Sequence, residues 1–166
     1  MKPALDQKRL KEVMEYDPWT GIFEWRVSGG RRVPAGHEVS GLDSAGYIGF
    51  QVDGVKARAH RFAWLYMTGK WPEHQIDHKN RIKSDNRWLN IRQATKKQNQ
   101  QNLPKQKRNT SGYKGVFWSK NAKKWLAQIG VDSKQVYLGY FALKEDAAKA
   151  YASAAAKFHT HNTEAA

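Results

Sequence analysis

The sequence predicts an α+β protein in two parts, on three observations. Short segments that alternate apolar and polar residues are separated by turn pairs, of which Asp53-Gly54 is the strongest hairpin signal. Two other segments repeat their apolar residues at helical spacing: Leu10, Val13 and Met14 early in the chain, and Ala147, Tyr151, Ala154 and Phe158 late in it. A polar stretch, 103–112, contains Pro104 and three basic residues and separates the parts as a linker.

Taken in order, residues 6–16 predict an amphipathic helix stopped by Asp17-Pro18, and Thr20-Gly21 turns the chain. Ile22–Val27 predicts a strand, and Ser28–Gly41 a glycine-rich loop. Tyr47–Val52 and Val55–Ala59 form the hairpin around Asp53-Gly54. His60–Met67 predicts a helix closed by Gly69 as its C-cap. Residues 75–102 are polar with few apolar anchors, and Lys96–Asn102 has the composition of a short helix. Beyond the linker, Tyr113–Trp118, Trp125–Gly130 and Val136–Phe141 predict three short strands, joined at Asn121-Ala122-Lys123 and Asp132-Ser133-Lys134. Lys144–Phe158 is alanine-rich and predicts a helix, whose small side chains allow close approach to a sheet. The expected domains are 1–102, the linker 103–112, and 113–160.

Charge narrows the partner. The chain of 166 residues has 29 Lys and Arg against 15 Asp and Glu, a formal charge of +14. Such an excess favours a polyanion, first of all nucleic acid. A membrane surface is not expected, because no segment offers the wide apolar face that a basic membrane helix needs. The absence of cysteine excludes disulfides, thiol nucleophiles and cysteine-ligated zinc. Within 79–108 stand ten basic residues and one acid, Asp85, so phosphate binding is focused there: Arg81, Lys83, Arg87, Arg92, Lys96, Lys97, Lys105, Lys107 and Arg108 are the candidate contacts.

The same region carries the chemistry. Cutting a phosphodiester needs a group that takes a proton from water and a cation that neutralises the scissile phosphate and the leaving oxygen. His78 suits the first role, since an ordinary histidine is largely neutral at physiological pH. Asp77 is a hard oxygen donor suited to magnesium. Adjacent strand residues point to opposite faces, so the two share one site only if the strand ends or bends there.

Asp77-His78, the run Asn86-Arg-x-x-Asn-Ile-Arg92, and then Asn99 and Asn102 together resemble the HNH nuclease family in its cysteine-free homing-endonuclease branch. The resemblance implies a ββα-metal finger over about 75–102, with two strands bearing Asp77-His78 and Asn90 and a helix bearing Asn99. It implies His78 as general base, Asn90 orienting the imidazole, and Asp77 with Asn99 holding one Mg²⁺ or Mn²⁺. Asn80, Asn86 and Asn102 read as turn or helix-end residues, and His60 as packing. Upstream, Asp17-Pro-x-Thr-Gly-x-Phe-x-Trp25, Gly46-Tyr47 and Ala59-His60-Arg61-x-Ala63-Trp64 resemble phage homing nucleases, with Arg26, Arg31, Arg32 and Arg58 as further phosphate contacts.

Ser111-Gly-Tyr-Lys-Gly-Val116, Lys124-Trp-x-Ala-Gln-Ile129, Tyr137-Leu-Gly-x-Phe141 and Glu145-x-Ala-Ala-x-Ala-Tyr151 resemble the DNA-binding domain of plant ethylene-response factors. That resemblance implies three strands laid in the major groove with a helix behind them. Lys114, Lys120, Lys123 and Lys124 would then meet phosphates. The family's base-reading Arg and Trp positions are occupied here by Phe117 and Ser119, so its base code does not transfer. Trp125 reads as core.

The expectation is therefore a phage- or mobile-element-encoded, intracellular DNA endonuclease. It would act on double-stranded DNA and nick as a monomer, a dimer being the route to a double cut. The alternative is a DNA-binding regulator whose head, residues 1–102, is inactive. A nuclease acting on RNA is a third reading, which the C-terminal sheet disfavours.

Overall fold

A computed structural model of the chain describes residues 5–29, 33–103, 109–132 and 134–161. It divides into two compact units, Met1–Thr95 and Lys96–Ala166. The expected contacts Arg31, Arg32, Lys105, Lys107 and Arg108 lie outside the described residues. Among the described residues, no helix is long and apolar enough to cross a membrane.

The first unit begins with helix α1, Gln7–Val13, capped by Asp6, whose side chain accepts from the Arg9 N–H at 2.8 Å. The helix expected to reach residue 16 stops at Val13. Met14–Tyr16 is instead strand β1, paired antiparallel with β2, Phe23–Trp25. The reason is burial: Met14 and Tyr16 alternate with exposed Glu15, the period of a strand rather than a helix. β3, Gly49–Val52, and β4, Val55–Arg58, form the expected hairpin. Asp53 and Gly54 both have positive φ, 49° and 88°, as its two-residue turn requires. Helix α2, Ala59–Thr68, ends at Gly69 in the left-handed conformation, whose N–H returns to the Leu65 carbonyl.

Leu10, Met14, Tyr16, Phe23, Val52, Phe62 and Leu65 build the core of this unit, joined by Ile76 and Ile91. Each such side chain contributes about 1.5–3 kcal/mol of transfer free energy. Ile76 and Ile91 fasten a third hairpin to that core: β5, Gln75–His78, pairs with β6, Ile91–Ala94. The loop between them includes a 3-10 turn, Trp88–Asn90.

The second unit opens with helix α3, Lys96–Gln101, followed by a three-stranded antiparallel sheet. Its strands are β7, Val116–Ser119, β8, Lys124–Val131, and β9, Lys134–Phe141, in sequential order. Helix α4, Lys144–Phe158, covers one face. Ala147, Tyr151, Ala154 and Ala155 are buried against Val116, Ala127 and Ile129. Phe158, expected on that buried face, is exposed, and Ala155 takes the place. Gly115 has φ +71°, and a Cβ there would meet the Tyr151 ring and the Gln128 carbonyl. Lys114, expected on phosphate, donates to the carbonyls of Gln101, the last residue of α3, at 2.6 Å and of Leu103 at 2.8 Å.

Candidate active site

β5 ends at His78, which is the condition under which two adjacent strand residues can share a site. The backbone turns there: Arg81 donates to the His78 carbonyl and stands at φ +66°, while Lys79 donates to the Asn90 carbonyl. Asp77 and His78 are both buried, at 6% and 5% exposure. A buried carboxylate needs a partner, and Asp77 accepts from Arg92 Nε at 2.9 Å, across the hairpin register that pairs the two residues. Arg92, expected on DNA, is thus half-buried and committed to Asp77.

Asn86, His60 and Tyr47 adjoin the His78 imidazole. Nε2 lies 3.3 Å from Asn86 Oδ1. The rings of His60 and Tyr47 sit 5.0 Å and 5.9 Å away between centroids. Asn86 Nδ2 donates to the Ser84 carbonyl at 3.1 Å, which turns Oδ1 toward the imidazole. An amide oxygen only accepts, so this contact is a hydrogen bond in the tautomer that has its proton on Nε2. Burial holds the His78 pKa below the ordinary value of 6.5, against the opposing pull of Asn86 and of the Asp77 and Asp85 charges.

Asn90 was expected to orient the imidazole; here its amide binds the intervening loop. Its Oδ1 accepts from the Asn80 N–H at 3.0 Å and its Nδ2 donates to the Asp85 carbonyl at 2.7 Å. It also stands in the 3-10 turn rather than on a strand. Asn86, read from sequence as a turn residue, is the side chain at His78. It is 1% exposed, and its own carbonyl accepts from the Tyr16 hydroxyl at 2.7 Å. Gly21 packs so closely on the Asn86–Arg87 backbone that a Cβ would collide with it. The one signal in the sequence was a glycine in the Asp17–Trp25 motif, whose target lies far along the chain.

His60 is buried, and its Nδ1 has no hydrogen-bond partner among the described residues. Burial first, then the His78 and arginine charges nearby, drive its pKa down to about 3. It is a neutral ring packed edge-on against His78. Around the site, Arg81, Lys83 and Arg87 are exposed. Lys83 reaches the Ala45 carbonyl, and Arg87 grips Asp85 at 2.6 Å. Arg58 stacks on Tyr47 at 3.8 Å and pairs with Asp43, and Arg26 pairs with Glu15.

Asn99 lies on α3, half-buried, in the second unit, along with exposed Lys96 and Lys97. Lys120, Lys123 and Lys124 are exposed at the β7–β8 turn, and Phe117 is exposed on β7, with Ser119 partly so. Trp125 packs on the helix-covered side, as expected of a core residue. Among the described residues, no group of three or more His, Cys, Asp or Glu side chains is placed to hold a metal ion.

A buried carboxylate and a buried imidazole thus stand together at one strand end, within a stretch that resembles known proteins. Residues 57–101, from β4 through α3, match the HNH endonuclease family. The chain is also 34% identical to Protein 3.8 of Escherichia phage T7 over 79 residues, which are 47% of this chain and 65% of that protein. The match thus spans slightly less than two thirds of that relative. No solved structure matches the chain. Nothing in these matches supports the resemblance of the C-terminal part to ethylene-response factors.

Proposed function

We propose that the protein is a metal-dependent DNA endonuclease, intracellular and phage-encoded, in which His78 is the general base. The carrying observation is the bond from His78 Nε2 to Asn86, inside the stretch that matches the HNH endonuclease family. With Nε2 donating to the amide oxygen, Nδ1 is the atom that would take a proton from water, and burial favours the neutral ring. Arg92 holds the Asp77 carboxylate in place. His60 and Tyr47 flank the ring and limit its rotation.

Asp77 and Asn99 offer hard oxygen donors, which fit Mg²⁺ or Mn²⁺ and not a nitrogen- or sulfur-preferring ion. They would hold one ion, as the resemblance to a ββα-metal finger over 75–102 implies. When bound, the ion supplies charge neutralisation at the scissile phosphate and the leaving 3′ oxygen. The products are 5′-phosphate and 3′-hydroxyl ends. Arg81, Lys83 and Arg87 in the head, and Lys96, Lys97, Lys120, Lys123 and Lys124 beyond it, are exposed cations for the DNA backbone.

Purified protein with Mg²⁺ is expected to convert supercoiled plasmid to nicked circles, and chelator or His78→Ala to abolish the conversion. Persistent cutting by a clean His78→Ala preparation removes His78 from the mechanism. The Arg92–Asp77 pair favours one second reading, a DNA-binding regulator with an inactive head, because a guanidinium competes with a cation for the same carboxylate. That reading predicts tight binding and no metal-dependent nicking.

A further inference from the structure

On the face of the C-terminal sheet opposite α4, aromatic side chains stand exposed among the described residues, and their chemistry is unusual for a protein surface. Strand alternation and register place Phe117, Leu126 and Tyr140 side by side across β7, β8 and β9, with Gln128 and Tyr137 in a following row. Phe117, Tyr137 and Tyr140 are 46%, 60% and 46% exposed. The two tyrosine rings lie 6.1 Å apart. Ser119 and Lys124 are paired at the β7–β8 end of the same face, where Lys120 and Lys123 stand exposed in the turn. No acid lies at any of these positions; Glu145 and Asp146 belong to α4, on the other side.

We infer that this face is a stacking platform for unpaired bases of single-stranded DNA, such as a strand locally freed from a duplex. Flat aromatic rings offer π-faces, which bases accept irrespective of their identity. Base edges in an intact major groove call for hydrogen-bonding forks, and this face carries no Arg. Gln128 and Ser119 supply polar groups for exposed base edges, and the lysines at one end track the backbone. The commitment to DNA rests on the endonuclease reading above; the stacking chemistry does not.

The test uses the full chain carrying His78→Ala, without divalent ion, so that binding is measured apart from cutting. Fluorescence anisotropy compares a labelled pyrimidine 20-mer with its duplex and with the same sequence as RNA. The single DNA strand binds at least as tightly as the duplex. Phe117→Ala with Tyr140→Ala lowers its affinity about 10- to 100-fold, leaves duplex binding within about threefold, and leaves the salt slope unchanged. Tyr140→Phe keeps full affinity. If circular dichroism shows the alanine variant unfolded, Phe117→Leu with Tyr137→Leu keeps the apolar volume, removes two π-faces and must show the same selective loss. Unchanged single-strand affinity overturns the inference, as does equal loss on duplex or preference for RNA. A dimer of the unsubstituted chain that the aromatic substitutions dissociate also overturns it, since a second copy would then occupy the face. Nicking by the unsubstituted protein reports on the endonuclease reading separately.

Discussion

The amide of Asn86 faces two ways, with Nδ2 on the Ser84 carbonyl and Oδ1 on His78 Nε2. Its removal therefore frees the imidazole to change tautomer. Asn86→Ala is expected to lower kcat about 10- to 100-fold with KM within about threefold, and to cost about 1–3 kcal/mol of stability through the unmet Ser84 carbonyl. Plasmid-nicking kinetics and urea melts measure the two effects. Asn86→Asp places a charge beside the ring, favours its protonated form, and should raise the acidic limb of the rate profile. His60 gives a second prediction at this scale. Its folded pKa of about 3 lies below the unfolded value of 6.5, so between these values the unfolded chain binds more protons. Stability should fall as pH drops below 6.5, by about 1.4 kcal/mol per unit for this group, with His78 adding in the same direction. Asp17, Asp43 and Asp85, whose pKa values are lowered, stabilise above the ordinary carboxylate range, and that stabilisation is lost at lower pH. Urea midpoints from pH 7 to 5 therefore isolate the histidines, and His60→Phe should flatten the slope.

Two glycines make element packing testable. Gly115→Ala forces a Cβ against the Tyr151 ring and the Gln128 carbonyl at a positive φ, so α4 must lift from the sheet. The expected cost is about 1–3 kcal/mol in the second unit, read as a lower melting temperature with head chemistry retained. Gly21→Ala pushes on Asn86 and Arg87, and its cost should appear in kcat as well as in stability. These contacts also mark the limit of what the sequence discloses. α4 was legible to its bounds because alanine content and helical spacing agree. The β3–β4 hairpin was legible because Asp53-Gly54 has few other uses. The end of α1 was not, because Leu10, Val13 and Met14 fit a helix, and only the pairing of β1 with β2 converts Met14 to a strand. At the candidate site, the association of Asp77 with His78 was legible because the two are adjacent in the chain. The exchange between Asn86 and Asn90 was not, since both are asparagines in one loop and only its closure decides which amide meets the ring.

Charge and stoichiometry belong to the whole chain. Residues 96–166 hold 13 basic and 4 acidic residues, so the second unit carries +9 of the total +14. Affinity for duplex DNA should therefore depend on salt chiefly through that unit. Replacing Lys120, Lys123 and Lys124 by Gln in the full chain should reduce the log–log salt slope by up to about 0.9 for each lysine that meets a phosphate. An unchanged slope would place the duplex anchor in the head. Under the proposed mechanism the number of cuts follows from the number of bases: one chain has one His78, and one general base would serve one scissile phosphate at a time. Supercoiled plasmid should pass through a nicked circle that accumulates before any linear product, with the initial nicking rate rising linearly with protein concentration. A rate rising with the square of concentration, or linear product without a nicked precursor, would mean that two copies act together, each supplying its own His78 to one strand.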